Sequence, residues 1–146
     1  MSICLTKMYD NILVPTDGSE KSEPAVEHAL DLAETYDAKV HALYVIETKA
    51  TYILTVGLSD EDMEAYEEYG EETVTDVVER ANEHGVDGKG VIKRGSVAEE
   101  IVEYAEENDI DGIVMGRQGQ GAVQRYLGST SEKVVRMTKI PVTVIG

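Results

Sequence analysis

The chain has 146 residues, with 29 Asp+Glu against 13 Lys+Arg for a formal net charge of −16, 42% hydrophobic residues, and eight Tyr but no Phe or Trp. That charge argues against a nucleic-acid partner, because phosphate backbones are bound through Lys and Arg, and no window approaches 18 consecutive apolar residues, so no membrane span is expected. The lone cysteine, Cys4, excludes an intramolecular disulfide and any Cys-rich metal site, and residues 1–7 are too short for a signal peptide, which points to the cytoplasm.

The length fits a single domain, residues 8–146 behind a short tail of residues 1–7, able to bury roughly two-thirds of its unfolded surface. Without Phe or Trp the core falls to Val, Ile, Leu, Ala and Met, a composition suited to a parallel sheet covered on both faces. Strong net charge keeps a protein soluble while its self-repulsion loosens the compact state. A high-salt cytoplasm would screen that cost, and a halophile-like setting is the expectation drawn here.

In chain order, Asn11–Val14 reads as a first strand ending at Pro15-Thr16-Asp17-Gly18-Ser19. A helix follows with Ala25, Ala29, Leu32 and Ala33 on one face and Glu27, Asp31 and Glu34 outside. Lys39–Ile46 (KVHALYVI) is the second strand, and residues 47–58 a connection of no assigned structure. Ser59 has the position of an N-cap, with Asp60, Glu61 and Asp62 in the favoured first turn of a helix to about His84, Gly70 being a candidate break. Val86–Lys93 is the third strand, and Ser96-x-x-Glu99 a capping box for the third helix. Asp111–Met115 is the fourth strand; a glycine-rich loop then leads to a second capping box, Ser129-x-x-Glu132, a fourth helix, and a last strand, Pro141–Ile145. This alternation specifies an α/β fold, a doubly wound, Rossmann-like five-stranded parallel sheet of order 3-2-1-4-5 with helices on both faces. In such sheets ligands bind beyond the strand C-termini where strand order reverses, here between strands one and four.

Both unusual loops of the chain converge on that point. The run Met115-Gly116-Arg117-Gln118-Gly119-Gln120-Gly121, continued at Gly128-Ser129-Thr130-Ser131, carries glycines that let backbone N–H groups approach a phosphate, and the following helix N-terminus favours negative charge. The hydroxyls of Ser129, Thr130 and Ser131 can add direct donors. Charge distribution agrees: residues 1–111 hold 28 Asp+Glu against 8 Lys+Arg, a net of −20, whereas residues 112–146 hold Glu132 against Arg117, Arg125, Lys133, Arg136 and Lys139, a net of +4. Asp17 reads either as an acceptor for a ribose hydroxyl or base amine, or as a turn aspartate. Val45 reads either as core or as a surface for an adenine ring. His28, His41 and His84 show no metal-ligand spacing and read as structural or surface residues, and neither a Gly-x-Ser-x-Gly elbow nor a Walker-type Gly-Lys-Ser occurs.

At these residues the chain resembles the universal stress protein family, and its archaeal, ATP-binding branch in particular. The likeness rests on Asn11–Ser19, Val45-Ile46, Gly95-Ser96-x-x-Glu99-x-Ile101, Val114-Met115-Gly116, Gly128-Ser129 and Pro141-Val142, and covers about residues 8–146. The resemblance implies an adenine and ribose pocket lined by Pro15, Thr16, Asp17 and Val45. It implies a near wall from Met115, Gly116, Gln118 and Gly119, and phosphates held by Gly128, Ser129, Thr130 and Ser131. It also implies ATP or another adenine nucleotide as ligand, with Mg²⁺ as a possible companion, and a homodimer formed through the edge strand 141–145. The branch pattern is Gly-x2-Gly-x9-Gly-Ser/Thr; eight residues, 120–127, separate Gly119 from Gly128 here, which leaves the choice among ATP, ADP and AMP open. A receiver domain shares the layout but needs an acidic cluster after strand one and a Lys at the C-terminal end of strand five; Lys139 stands at the other end. The expectation is therefore a stress-response module with little or no catalysis, a family module that binds no nucleotide being the alternative.

Overall fold

The computed structural model describes residues 9–47, 60–117 and 129–146. The elements are β1 (Asn11–Pro15), a short 3₁₀ turn (Glu20–Ser22), α1 (Glu23–Tyr36), β2 (Lys39–Glu47), α2 (Asp60–Glu83), β3 (Gly88–Gly95), α3 (Val97–Glu107), β4 (Gly112–Gly116), α4 (Ser129–Met137) and β5 (Val142–Ile145). The five strands are all parallel in the order β3-β2-β1-β4-β5, as the alternation of the sequence specified. The expected N-cap Ser59 lies outside the described residues.

Each face of the sheet carries its own apolar layer. Ile12, Val14, Val40, Ala42, Tyr44 and Ile46 point to the side covered by α1 and α2, while Leu13, Leu43, Ile113 and Met115 point to the side covered by α3 and α4. The period of two along each strand thus sorts neighbouring residues into opposite layers. Helix α1 lies against the sheet through Ala25, Val26, Ala29, Leu30 and Ala33. Leu32, expected on that face, is half-buried beside it.

Three helices end in the same way, and this corrects one strand boundary. Asp37 (φ 55°), Gly85 (φ 74°) and Asp109 (φ 53°) adopt the left-handed conformation that closes a helix. The next residue then donates its N–H back into the last turn: Ala38 to Ala33 (2.9 Å), Val86 to Ala81 (2.8 Å) and Ile110 to Ala105 (3.1 Å). Ala38, Val86 and Ile110 are all buried. Val86, expected to open the third strand, is the apolar cap of α2, and β3 starts at Gly88.

Gly70 does not interrupt α2, which runs unbroken through all 24 residues. Its absent side chain serves packing: a Cβ there would stand 2.6 Å from the Tyr44 ring. The first of the two expected capping boxes is also corrected. Ser96 has the extended N-cap conformation without a side-chain cap bond. The second box rests on the Ser129 side chain, which lies outside the described residues; Glu132 of α4 accepts a bond from Arg136 (2.9 Å). Across elements, Arg80 of α2 holds Glu23 of α1 through two bonds (2.9 and 3.1 Å) and also touches Asp76, while Arg94 of β3 pairs with Glu67 of α2.

The N-terminal end of the sheet holds a buried polar bridge. His41 of β2 meets the Tyr104 hydroxyl through Nδ1 (2.7 Å) and Asn11 Oδ1 through Nε2 (3.0 Å). Asn11 presents an oxygen, so the neutral ring donates from Nε2 and accepts the Tyr104 proton at Nδ1. Burial, helped by the Lys39 and Lys89 charges and opposed by Asp87, lowers the His41 pKa to about 4. His28 and His84 are exposed.

Candidate functional site

The crevice arises from unequal strand lengths. β1 pairs with β2 only as far as Pro15 beside Leu43, whereas β2 continues along β3 to Glu47 beside Gly95. On the other flank β4 leaves β1 after Leu13 beside Ile113 and continues along β5 to Gly116 beside Ile145. Beyond the end of β1, a gap therefore opens between the protruding residues 44–47 of β2 and the end of β4. That is the switch point of the doubly wound sheet.

The floor is the loop leaving β1. Thr16 N–H donates to the Leu43 carbonyl (2.9 Å), which ties the loop to β2. Asp17 Oδ1 accepts both the N–H (2.9 Å) and the hydroxyl (2.6 Å) of Ser19, so Asp17 does form the turn that one of its two readings required. Its other oxygen has no partner among the described residues and remains an acceptor. Ser22 donates its proton to the Ser19 carbonyl (2.8 Å), so Thr16 is the donor in the Thr16–Ser22 pair (3.0 Å), and Thr16 in turn accepts Gly18 N–H (3.1 Å). Gly18 takes φ 78°, and a Cβ on it would meet the Tyr69 hydroxyl at 2.5 Å. The loop is thus locked from within and covered by α2.

Of the residues named from sequence, Pro15, Thr16 and Asp17 sit together on this floor, each half-buried. Val45 stands on the protruding part of β2, half-buried against the α3 side of the core. Met115 is deep in that same core at 5% exposure, while Gly116 follows at the half-buried end of β4. Ser131 is buried, its hydroxyl donating to the Arg117 carbonyl (3.0 Å) and anchoring the first turn of α4 to the end of β4. Thr130 is half-buried beside it, and Ser129 begins the helix. Gln118, Gly119 and Gly128 lie outside the described residues, as does Arg125.

Sequence reasoning missed Glu47 and Tyr69. Glu47 ends the apolar run of β2, and its Oε1 is buried with no hydrogen-bond partner among the described residues. The signal was available: an acid closing the apolar run Ala42–Ile46 of β2. Tyr69, packed edge-on against Tyr44 (centroids 5.8 Å apart), had no such signal, since only the fold lays α2 over the β1 loop.

A cleft of about 210 Å³ lies on the α1–α2 side of the same loop, reached by Thr16 and Gly18 and walled by Glu23, Glu72 and Asp76. Of these acids, Glu23 and Asp76 are both paired with Arg80. Among the described residues no three His, Cys, Asp or Glu side chains converge to hold a metal, and no helix is long and apolar enough to cross a membrane.

These elements make a doubly wound α/β fold with a crevice at its switch point, and comparison with known proteins narrows the class. The model of the universal stress protein family matches residues 8–146, and the chain belongs to that family. It is 38% identical over 144 residues to universal stress protein MJ0531 of Methanocaldococcus jannaschii, covering 94% of this chain and 82% of that one. The solved structure of MJ0577 from the same organism superposes with a TM-score of 0.85 at 30% identity, covering 94% of this chain and 96% of that one. A universal stress protein solved in complex with cAMP matches with a TM-score of 0.69 at 25% identity, covering 96% of this chain and 98% of that one.

Proposed function

We propose that this protein binds an adenine nucleotide, ATP, ADP or AMP, in the crevice beyond β1 and works as a nucleotide-dependent regulatory module with little or no turnover. The observation that carries the reading is the gap between β2 and β4, floored by Asp17 with a spare acceptor oxygen and flanked by the N-terminus of α4. In this reading Pro15, Thr16, Asp17 and Val45 receive adenine and ribose, Met115, Gly116, Gln118 and Gly119 form the near wall, and Gly128, Ser129, Thr130 and Ser131 take the phosphates with or without Mg²⁺. The buried hydroxyl of Ser131 acts by aligning the α4 N-terminus through Arg117. The cAMP-bound relative supports an adenine ligand.

The functional unit we propose is residues 8–146, acting in the cytoplasm as a homodimer through the 141–145 strand. β5 stands at the sheet edge and pairs with β4 on its inner side, and Val135 and Met137 of the adjoining α4 are exposed (46% each), which suits pairing of two copies.

Mass spectrometry of a heat-released extract of the purified protein tests the ligand: an adenine nucleotide at near-stoichiometric yield is expected. Titration with ATP follows, comparing the wild type with Asp17→Asn, which keeps the turn acceptor but removes the charge. Weaker binding by about tenfold supports the reading, at the order of one charged hydrogen bond. Indifference of both proteins to millimolar nucleotide would leave the non-binding dimeric module as the function. Steady ATP turnover at ordinary ATPase rates, lost in Asp17→Asn, would make the protein an enzyme instead.

A further inference from the structure

We infer that Glu47 reads the base: its buried carboxylate oxygen accepts a hydrogen bond from the exocyclic amino group of a 6-aminopurine lying on Val45. The inference rests on the nucleotide reading and specifies how one base is chosen over another. Along β2, Leu43, Val45 and Glu47 alternate onto the same face, and Leu43 and Val45 both pack in the α3-side layer. Two residues of strand advance by about 6.6 Å, comparable to the length of a purine, so a ring seated on Val45 carries its far edge to Glu47. Both residues belong to the part of β2 that outruns β1 and borders the crevice.

Among the described residues, the surroundings supply Glu47 with no donor of their own. Its cross-strand neighbour is Gly95, which has no side chain, and the group over Gly95 is the carboxylate of Glu100, 2.8 Å from where a Cβ would stand. Lys93, opposite Val45, bears on Glu100, and Arg94, one residue on, pairs with Glu67. A carboxylate oxygen held out of water without a donor is costly, and a ligand amine placed there removes the cost. Adenine offers such an amine at position 6. Hypoxanthine offers a carbonyl there, an acceptor facing an acceptor, and a site built around one hydrogen bond rejects the analogue that lacks it.

The test compares AMP, purine riboside monophosphate and IMP by calorimetry, with a common phosphate and ribose so that the differences report the base. In the wild type the expected order is AMP, then the unsubstituted purine, then IMP, with AMP at least tenfold tighter than IMP. Glu47→Gln, whose amide can donate as well as accept, should weaken AMP and improve IMP until the two differ by less than about threefold. Far-UV circular dichroism and the melting temperature confirm that the variant is folded. AMP binding with an AMP/IMP ratio unchanged by Glu47→Gln would overturn the assignment while leaving the nucleotide reading intact, as would equal affinities across the wild-type series. Tighter GMP than AMP would also overturn it, by assigning the carboxylate to a guanine edge. Failure of every nucleotide to bind would remove the nucleotide reading itself.

Discussion

The buried bridge at the base of the sheet gives a stability that is lost on mild acidification. His41 has a pKa lowered from 6.5 to about 4, mainly by burial, so in the folded state it stays neutral through a range where the unfolded chain takes up a proton. The unfolded state then binds more protons than the native one, and stability falls as pH falls from about 6.5 to about 4, levelling below that. The gap corresponds to at most about 3 kcal/mol, lost at no more than about 1.4 kcal/mol per pH unit. Part of it comes from Lys39 and Lys89, and molar KCl should reduce that part. The assay is urea unfolding at pH 7.5, 6.5, 5.5 and 4.5 for wild type and His41→Gln. Carboxylates also titrate toward pH 4, so the informative quantity is the difference between the two curves. The wild type should lose about 2–3 kcal/mol more than the variant across this range. Parallel pH profiles, or an imidazole resonance of His41 titrating above pH 6, would refute the argument.

Other expectations follow from particular contacts. Tyr104→Phe removes the donor to His41 Nδ1 and should cost about 1–3 kcal/mol by denaturant unfolding, leaving a buried acceptor unmet. Gly18→Ala forces a Cβ into a left-handed residue and against the Tyr69 hydroxyl; a loss of about 1–2 kcal/mol is expected, part of it recovered in a Tyr69→Phe background. Gly70→Ala improves helix propensity by about 1 kcal/mol but drives a methyl into the Tyr44 ring. The overpacking should outweigh that gain, so a lowered melting temperature is expected and a raised one would show that Tyr44 yields freely. Arg80→Ala breaks a half-exposed tie between α1 and α2 and should cost about 1 kcal/mol or less in dilute buffer, a cost that shrinks in molar KCl.

The order and type of the elements, and the meeting of the two loops, were determined by the sequence alone. Apolar alternation and helical stripes are local signals, and a parallel α/β pattern leaves few topologies, so Pro15-Thr16-Asp17 and Met115-Gly116 had to arrive at one switch point. What depends on contacts between distant residues was decided by tertiary structure. Gly70 looked like a helix break because the chain does not announce that Tyr44, 26 positions earlier, will press against it. Val86 looked like strand because an apolar residue after Gly85 fits both a β-run and a helix cap. His41 could be read as no more than structural or surface, since the partner that holds it neutral, Tyr104, lies 63 residues away. Glu47 is the sharpest case: its acidity was visible, but a carboxylate oxygen becomes consequential only once packing has excluded water from it and left it no donor among the described residues.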